Sequence, residues 1–183
     1  NNIEVDRIRV DIKYVNEENE VDIDGLKKGD KDFNNASFNF DNGKFECIRE
    51  QEKMSKSKFN VVNPDEICDQ YGADTLRMYE MFLGPIEQSK PWDTRGISGV
   101  YSFLKRFWNL FFEGDKLNLT EDMPSEESLK SLHKTIKKIN EDIEKLSLNT
   151  CISSFMICIN ELSALKCNNR LVLEQLLVLI SPF

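Results

Sequence analysis

Six consecutive residues stand apart from the rest of the sequence in the chemistry open to them. Lys53-Met54-Ser55-Lys56-Ser57-Lys58 gathers three ammonium groups and two hydroxyls with no acid among them, although Glu50 and Glu52 come just before. Lysine ammoniums are compact charges on flexible stems, able to track a polyphosphate as its geometry changes, and serine hydroxyls donate hydrogen bonds to phosphate oxygens. In a chain of formal net charge −8 this is a local anion site against an opposing background. Composition alone leaves two readings open, a solvated basic loop and a phosphate-binding loop.

The elements around the cluster must hold it in place. Upstream, apolar and polar residues alternate over 8–15, with Ile8, Val10, Ile12 and Tyr14 on one side and Arg9, Asp11 and Lys13 on the other, which predicts a half-buried strand. A polar run over 16–20 ends it and a short alternation over 21–23 comes next, so the opening of the chain reads as a meander. Residues 26–36, rich in Lys, Asp, Asn and Gly, read as an exposed connection. Phe38 and Phe40, then Phe45 and Cys47, flank Asp41-Asn42-Gly43, whose residues tolerate the positive φ of a tight hairpin. Residues 49–58 carry neither a strand nor a helix period and form a loop. Downstream, Asn63-Pro64-Asp65-Glu66 supplies a cap, a first-turn proline and acids at the positive end of a helix dipole. Gly72 ends that helix, and a second runs over 74–82 until Gly84-Pro85 stops it.

The remainder reads as amphipathic helix with breaks at Pro91-Trp92-Asp93 and over 118–124. Ile97, Val100, Tyr101, Leu104, Phe107, Trp108 and Phe111 fall at helical spacing as an aromatic-rich core face, opposite Ser102, Lys105, Arg106 and Asn109. Leu129, Leu132, Ile136, Ile139, Ile143 and Leu146 step by three and four residues, a seam suited to packing inside a bundle. Ile152, Phe155, Met156, Ile159 and Leu162 mark a third helix. Residues 171–180 form a fourth that is apolar nearly all round and needs neighbours on most sides. The fold class is therefore α+β, a small β-rich N-terminal part and then a mainly helical bundle. The chain stops at Ser181-Pro182-Phe183, directly after its most apolar helix, which reads as a truncated domain.

Composition narrows the function classes. The apolar stretch over 171–180 is about half of the roughly 20 residues a membrane span needs, and with neither an initiator Met nor a basic and apolar leader the sequence reads as soluble and cytoplasmic, with no membrane partner. The five cysteines, Cys47, Cys68, Cys151, Cys158 and Cys167, form no CxxC pair, against a zinc knuckle or disulfide scaffold, and read as small buried apolar residues. No metal site is expected. The acidic balance gives no general attraction to nucleic acid, so RNA contact must be local.

Lys53-Met54-Ser55-Lys56-Ser57 is identical to the KMSKS motif of class I aminoacyl-tRNA synthetases, and the residues after it also resemble that family: Lys58-Phe59-Asn60-Val61-Val62-Asn63-Pro64-Asp65, then Tyr71-Gly72-Ala73-Asp74-Thr75-Leu76-Arg77. The segment 81–97, with Phe82-Leu83-Gly84-Pro85 and Lys90-Pro91-Trp92-Asp93-Thr94-Arg95-Gly96, is similar to leucyl-tRNA synthetases more than to isoleucyl, valyl or methionyl ones. Leu148-Asn149-Thr150 and Leu179-Ile180-Ser181-Pro182-Phe183 resemble the family's helical anticodon-binding-type domain. The likeness is densest over 52–112, extends to 183 and thins before 49.

The resemblance implies a division into residues 1–50, a β-rich leucine-specific-type insertion, 51–95, the KMSKS loop with connecting helices, and 96–183, a truncated helical anticodon-binding-type domain. It implies a parent enzyme with ATP, leucine and tRNA(Leu) as partners, expected to be monomeric and to use magnesium with its ATP. The loop would close on ATP as leucine carboxylate attacks the α-phosphorus and pyrophosphate leaves. Lys56 would contact the phosphates and Lys53 assist, with Ser55 and Ser57 shaping the loop or donating hydrogen bonds. Met54 would anchor the loop, and Asn63 and Asp65 would organise the turn into the helix. The family's other ATP signature needs two histidines and this chain has one, His133, on the edge of the Leu/Ile seam, so the chain alone is expected to be inactive. Lys105, Arg106, Lys134, Lys137, Lys138 and Lys145 are candidates for tRNA backbone contact. Two alternatives stand beside this reading: another class I synthetase, and a non-catalytic helical interaction module that has kept the loop.

Overall fold

A computed structural model describes residues 6–183, which divide into two compact units, one ending at Asn63 and one beginning at Pro64. In the first unit the expected strand over 8–15 is replaced by irregular chain and a 3-10 turn, Ile12–Tyr14. The physical reason is local: the Asp11 side chain accepts from Lys13 N at 3.1 Å and turns the backbone before a ladder can form. No second strand lies alongside among the described residues, and Ile8 stays exposed. The meander likewise reduces to isolated bridges, Val15 with Val21 and Glu20 with Glu46. The predicted turn at Asp41-Asn42-Gly43 does form, with Asn42 and Gly43 at φ 50° and 81°, but a single bridge, Asp41 with Lys44, flanks it rather than a full hairpin.

The expected exposed connection over 26–36 is instead a helix, α1 (Ile23–Gly29), and a 3-10 turn, Lys31–Phe33. Asp22 caps α1 by accepting from Gly25 N at 3.0 Å, and Asp30 caps the turn. Within α1, Leu26 is the best-buried of the unit's described residues at 1% exposure. Its neighbours in sequence are charged, which hides it from a composition-based reading. Phe33, Phe38, Phe40 and Phe45 form a cluster of stacked and edge-on rings in the same unit, with Lys27 over the Phe38 ring.

The second unit is the helical bundle. Its elements are α2 (Pro64–Tyr71), α3 (Ala73–Phe82), α4 (Thr94–Phe111), α5 (Glu126–Glu144), α6 (Leu148–Ala164) and α7 (Arg170–Ile180). Gly72, at φ 88°, separates α2 from α3 as expected. Strand pairing sits here: β1 (Phe112–Glu113) and β2 (Lys116–Leu117) form a two-stranded antiparallel sheet around Gly114 at φ 62°. The helical reading of residues 112–117 is corrected accordingly, and the architecture remains α+β.

At the centre of the bundle lies α6, which packs against α3, α4 and α5 and buries Cys151, Ile152, Phe155, Cys158, Ile159 and Leu162. Cys151, Cys158 and Cys167 are buried as expected, whereas Cys47 and Cys68 are half-buried. Burial pushes the Cys151 thiol up to about 11, so it stays protonated and inert at neutral pH. On α4 the core face is Ile97, Val100, Phe103 and Leu110, while Trp108, assigned to the core from its spacing, is 60% exposed and stacks on Phe112 at 4.4 Å.

The α5 seam also differs from its pattern. Leu132 and Ile139 are fully buried, but Ile143 and Leu146 are exposed, and the buried stripe is completed by Ser128, Ser131, Thr135 and Asp142. Two of these hydroxyls donate to clear acceptors: Thr135 Oγ1 to Ser131 O at 2.9 Å and Ser131 Oγ to Glu161 at 2.6 Å. Asp142, only 3% exposed, closes the corner between α5 and α6. It accepts from Lys138 Nζ at 2.7 Å and from Thr150 Oγ1 at 2.6 Å, while its backbone carbonyl accepts from Ser147 N at 2.8 Å.

Burial pushes the Asp142 carboxyl up, but the hydrogen bonds from Lys138 and Thr150 outweigh it and hold the group below its ordinary range. A depressed acid contributes stability above its unfolded pKa and loses it as pH falls through the folded value. Asp142→Asn is therefore expected to cost about 1–3 kcal/mol at pH 7, and the gap from wild type should narrow in strong acid. Chemical unfolding of both proteins at the two pH values checks this.

Candidate functional site

The lysine and serine loop lies wholly in the first unit. Residues 49–55 have no regular structure, and the chain then tightens into a 3-10 turn, Lys56–Lys58, as Lys58 N donates to Ser55 O at 3.0 Å and Phe59 N to Lys56 O at 3.2 Å. Phe59 ends the turn in the left-handed region, φ 55° and ψ 33°, a conformation that costs a bulky L-residue energy and needs outside support. The support comes from upstream, where Ile12 N donates to the Phe59 carbonyl at 3.0 Å.

The three lysines are not equivalent. Lys58, half-buried, pairs with Glu52 at 3.2 Å, and the same carboxylate also takes Arg9 at 3.0 Å. The Lys58 hydrogen bond first, then the charges of Arg9 and Lys58, hold Glu52 below the ordinary glutamate range against the opposing effect of burial. Arg7 and Glu50 form a second pair at 2.7 Å. Lys53 and Lys56, by contrast, are exposed and enter no ion pair among the described residues. The acids that precede the motif thus engage Lys58 and two arginines, while the other two lysines stay exposed.

Hydroxyls and an amide complete the loop. Ser55 Oγ and Ser57 Oγ share a hydrogen bond of 2.8 Å, so whichever of the two accepts keeps its own proton to donate to a ligand. Asn60, unassigned from sequence beyond its place in the family-like run, accepts from Ser55 N at 2.8 Å and donates to Lys53 O at 3.4 Å. The only signal that could have singled it out is chemical: an amide, one of the few side chains able to donate and accept at once, three residues past the motif. Met54 is 43% exposed and so buries only part of its side chain in this unit.

Magnesium does not fit these residues. The side chains facing solvent are ammoniums and hydroxyls, Glu52 is already taken by two cations, and among the described residues no group of three or more His, Cys, Asp or Glu is placed to hold a metal ion.

In the bundle the cationic candidates fare unequally. Lys138 is engaged by buried Asp142, Lys137 lies 4.0 Å from Glu141, and Lys105 sits over the Tyr101 ring. His133 is exposed, as its position beside the seam suggested. Between α5 and α6 runs a groove of about 360 Å³ lined by Lys134, Lys137, Lys138, Ile157 and Glu161 among others. No helix among the described residues is long and apolar enough to cross a membrane.

Comparison with known proteins gives a consistent answer. Residues 46–93 match the family model of class I tRNA synthetases (I, L, M and V). The chain is 57% identical over 179 residues, 98% of its length, to the leucine–tRNA ligase of Christiangramia forsetii. It is 58% identical over 179 residues to that of Flavobacterium psychrophilum and 54% over 181 residues to that of Bacteroides thetaiotaomicron. It spans 19% of the length of each of these relatives. A solved structure, the ternary complex of Agrobacterium radiobacter K84 agnB2 LeuRS with tRNA and LeuAMS, aligns with 72% of this chain and 19% of its own at a TM-score of 0.59 and 27% identity. The lysine and serine loop thus falls inside a match that runs over 98% of the chain, and the chain is homologous to a segment of leucine–tRNA ligases that makes up 19% of their length.

Proposed function

We propose that this chain is the part of a leucine–tRNA ligase that grips the phosphates of ATP during leucine activation and begins the helical surface for tRNA(Leu). The observation that carries the reading is the unequal treatment of the lysines, with Lys58 neutralised by Glu52 while Lys53 and Lys56 stay exposed and outside any ion pair among the described residues. In the reaction, leucine carboxylate attacks the α-phosphorus and negative charge grows on the departing pyrophosphate. Lys56 meets that charge and Lys53 assists, so both act most strongly where the transition state differs from the ground state. Ser55 or Ser57 donates a hydrogen bond to a phosphate oxygen, and Met54 anchors the loop in the complete enzyme. Magnesium, if carried in with ATP, takes its ligands from the phosphates and from other parts of the enzyme.

Because the chain spans 19% of its relatives, the activity belongs to a longer protein, and this segment alone does not aminoacylate tRNA. Residues 1–50 serve as a leucine-specific-type insertion, 51–95 as the loop and its connecting helices, and 96–183 as part of the anticodon-binding-type domain. The parent acts in the cytoplasm as a monomer. For the RNA, Lys134 and Lys137 on the α5–α6 groove are better placed than Lys138, whose charge is spent on Asp142.

In the full-length enzyme, Lys56→Ala is expected to slow leucyl-adenylate formation about a hundredfold, the usual cost of one lost transition-state donor, with leucine affinity nearly unchanged. Single-turnover activation with quenched-flow detection measures both, and an unchanged rate refutes the role. Specificity has its own test. Pyrophosphate exchange should run with leucine well ahead of isoleucine, valine and methionine, and a preference for any of the other three would reassign the segment within class I.

A further inference from the structure

We propose that Asn60 is a positioning residue for the loop, its side-chain amide fixing the backbone from which Lys53 and Lys56 project; the inference rests on the reading of the loop as an ATP site. The amide is used from both ends. Its Oδ1 accepts from Ser55 N at 2.8 Å and its Nδ2 donates to Lys53 O at 3.4 Å, so one planar group joins the two peptide units on either side of Met54. The chain is shaped to bring Asn60 back to that point. After the 3-10 turn, Phe59 takes the left-handed conformation and reverses the backbone, and the bond from Ile12 N to the Phe59 carbonyl holds the reversal. A partly buried bond to Ser55 N, ahead of the turn that carries Lys56, transmits the constraint to that lysine.

The side-chain chemistry is specific. A single residue must accept from one peptide and donate to another, which an amide does from two separate atoms, whereas an ionised carboxylate has no donor and a hydroxyl would have to serve both peptides from one oxygen. Two long, flexible lysines on an unconstrained backbone would sample many directions, and ordering them at the moment of reaction would raise the barrier. The amide does that ordering beforehand. Both of its ends are taken up by the backbone of the loop, so its effect passes through the lysines that this backbone carries.

The experiment is a pair of substitutions in the full-length ligase, read by pyrophosphate exchange with leucine. Asn60→Ala should lower kcat about tenfold, the scale of losing the short bond to Ser55 N together with the long, weak one to Lys53 O, and leave the KM for leucine within about twofold. In a Lys53→Ala/Lys56→Ala background the same substitution should cost less than about twofold, because no ammonium remains to be oriented. An equal loss in both backgrounds identifies a purely structural role and overturns the assignment, as does no loss beside the intact lysines. If the double lysine variant itself exchanges at the wild-type rate, the phosphate reading falls and takes this one with it, whereas a crippled lysine variant beside an unaffected Asn60→Ala overturns the positioning role alone. Should Asn60→Ala not melt cooperatively, Asn60→Ser, polar but too short to span both peptides, goes through the same two backgrounds with the same expectations.

Discussion

Glu52 holds Arg9 at 3.0 Å and Lys58 at 3.2 Å on one carboxylate, and by doing so it sets Lys58 apart from Lys53 and Lys56, which enter no ion pair among the described residues. Three lysines within six residues repel one another, and in an acidic chain the simplest outcome would be neutralisation of all of them by nearby acids. That outcome is avoided because the acids upstream are matched to specific partners, Glu50 to Arg7 and Glu52 to Arg9 and Lys58. The upstream arginines therefore serve the loop indirectly. They occupy Glu50 and Glu52, the two acids that come just before the motif.

How much of this is legible in the sequence depends on whether local chemistry or tertiary contact decides each element. The helix start at Asn63-Pro64, the stop at Gly72 and the Asn42-Gly43 turn come from residues that determine their own backbone angles, and all three occur. The strand over 8–15 does not form because alternation describes only a candidate edge, and among the described residues no partner strand lies alongside it. The helix over 23–29 is hidden by a charged composition, yet Asp22 and Leu26 are there to be read as cap and core. The loop's lysines are legible as types, but nothing in their spacing says that the third is paired and that the first two enter no ion pair among the described residues. Nor can spacing reveal Asn60, since its role comes from a chain reversal at Phe59 that no residue preference favours.

The bundle shows the same division. Periodicity finds the helices and the apolar identity of α6, while it places the α5 seam one step out of phase by counting Ser128, Ser131 and Thr135 as surface. Those hydroxyls are tolerated inside because they are satisfied close to their own helix or by α6, and Asp142 is tolerated because two donors meet it. A buried stripe of small polar groups leaves the large aliphatics Ile143 and Leu146 facing outward. Hydrophobic pattern alone assigns the opposite arrangement.

Outward-facing aliphatics recur on the last two helices, where Ile157 on α6 and Leu171, Leu177 and Val178 on α7 lie open, Leu171 and Val178 on a shared face seven residues apart. Surfaces of this kind adhere to one another in water, and more strongly as the temperature rises from the cold. A preparation of this segment by itself would accordingly form concentration-dependent oligomers, and light scattering or sedimentation recorded on it would report the stickiness of α7 rather than the assembly state of any ligase that contains it.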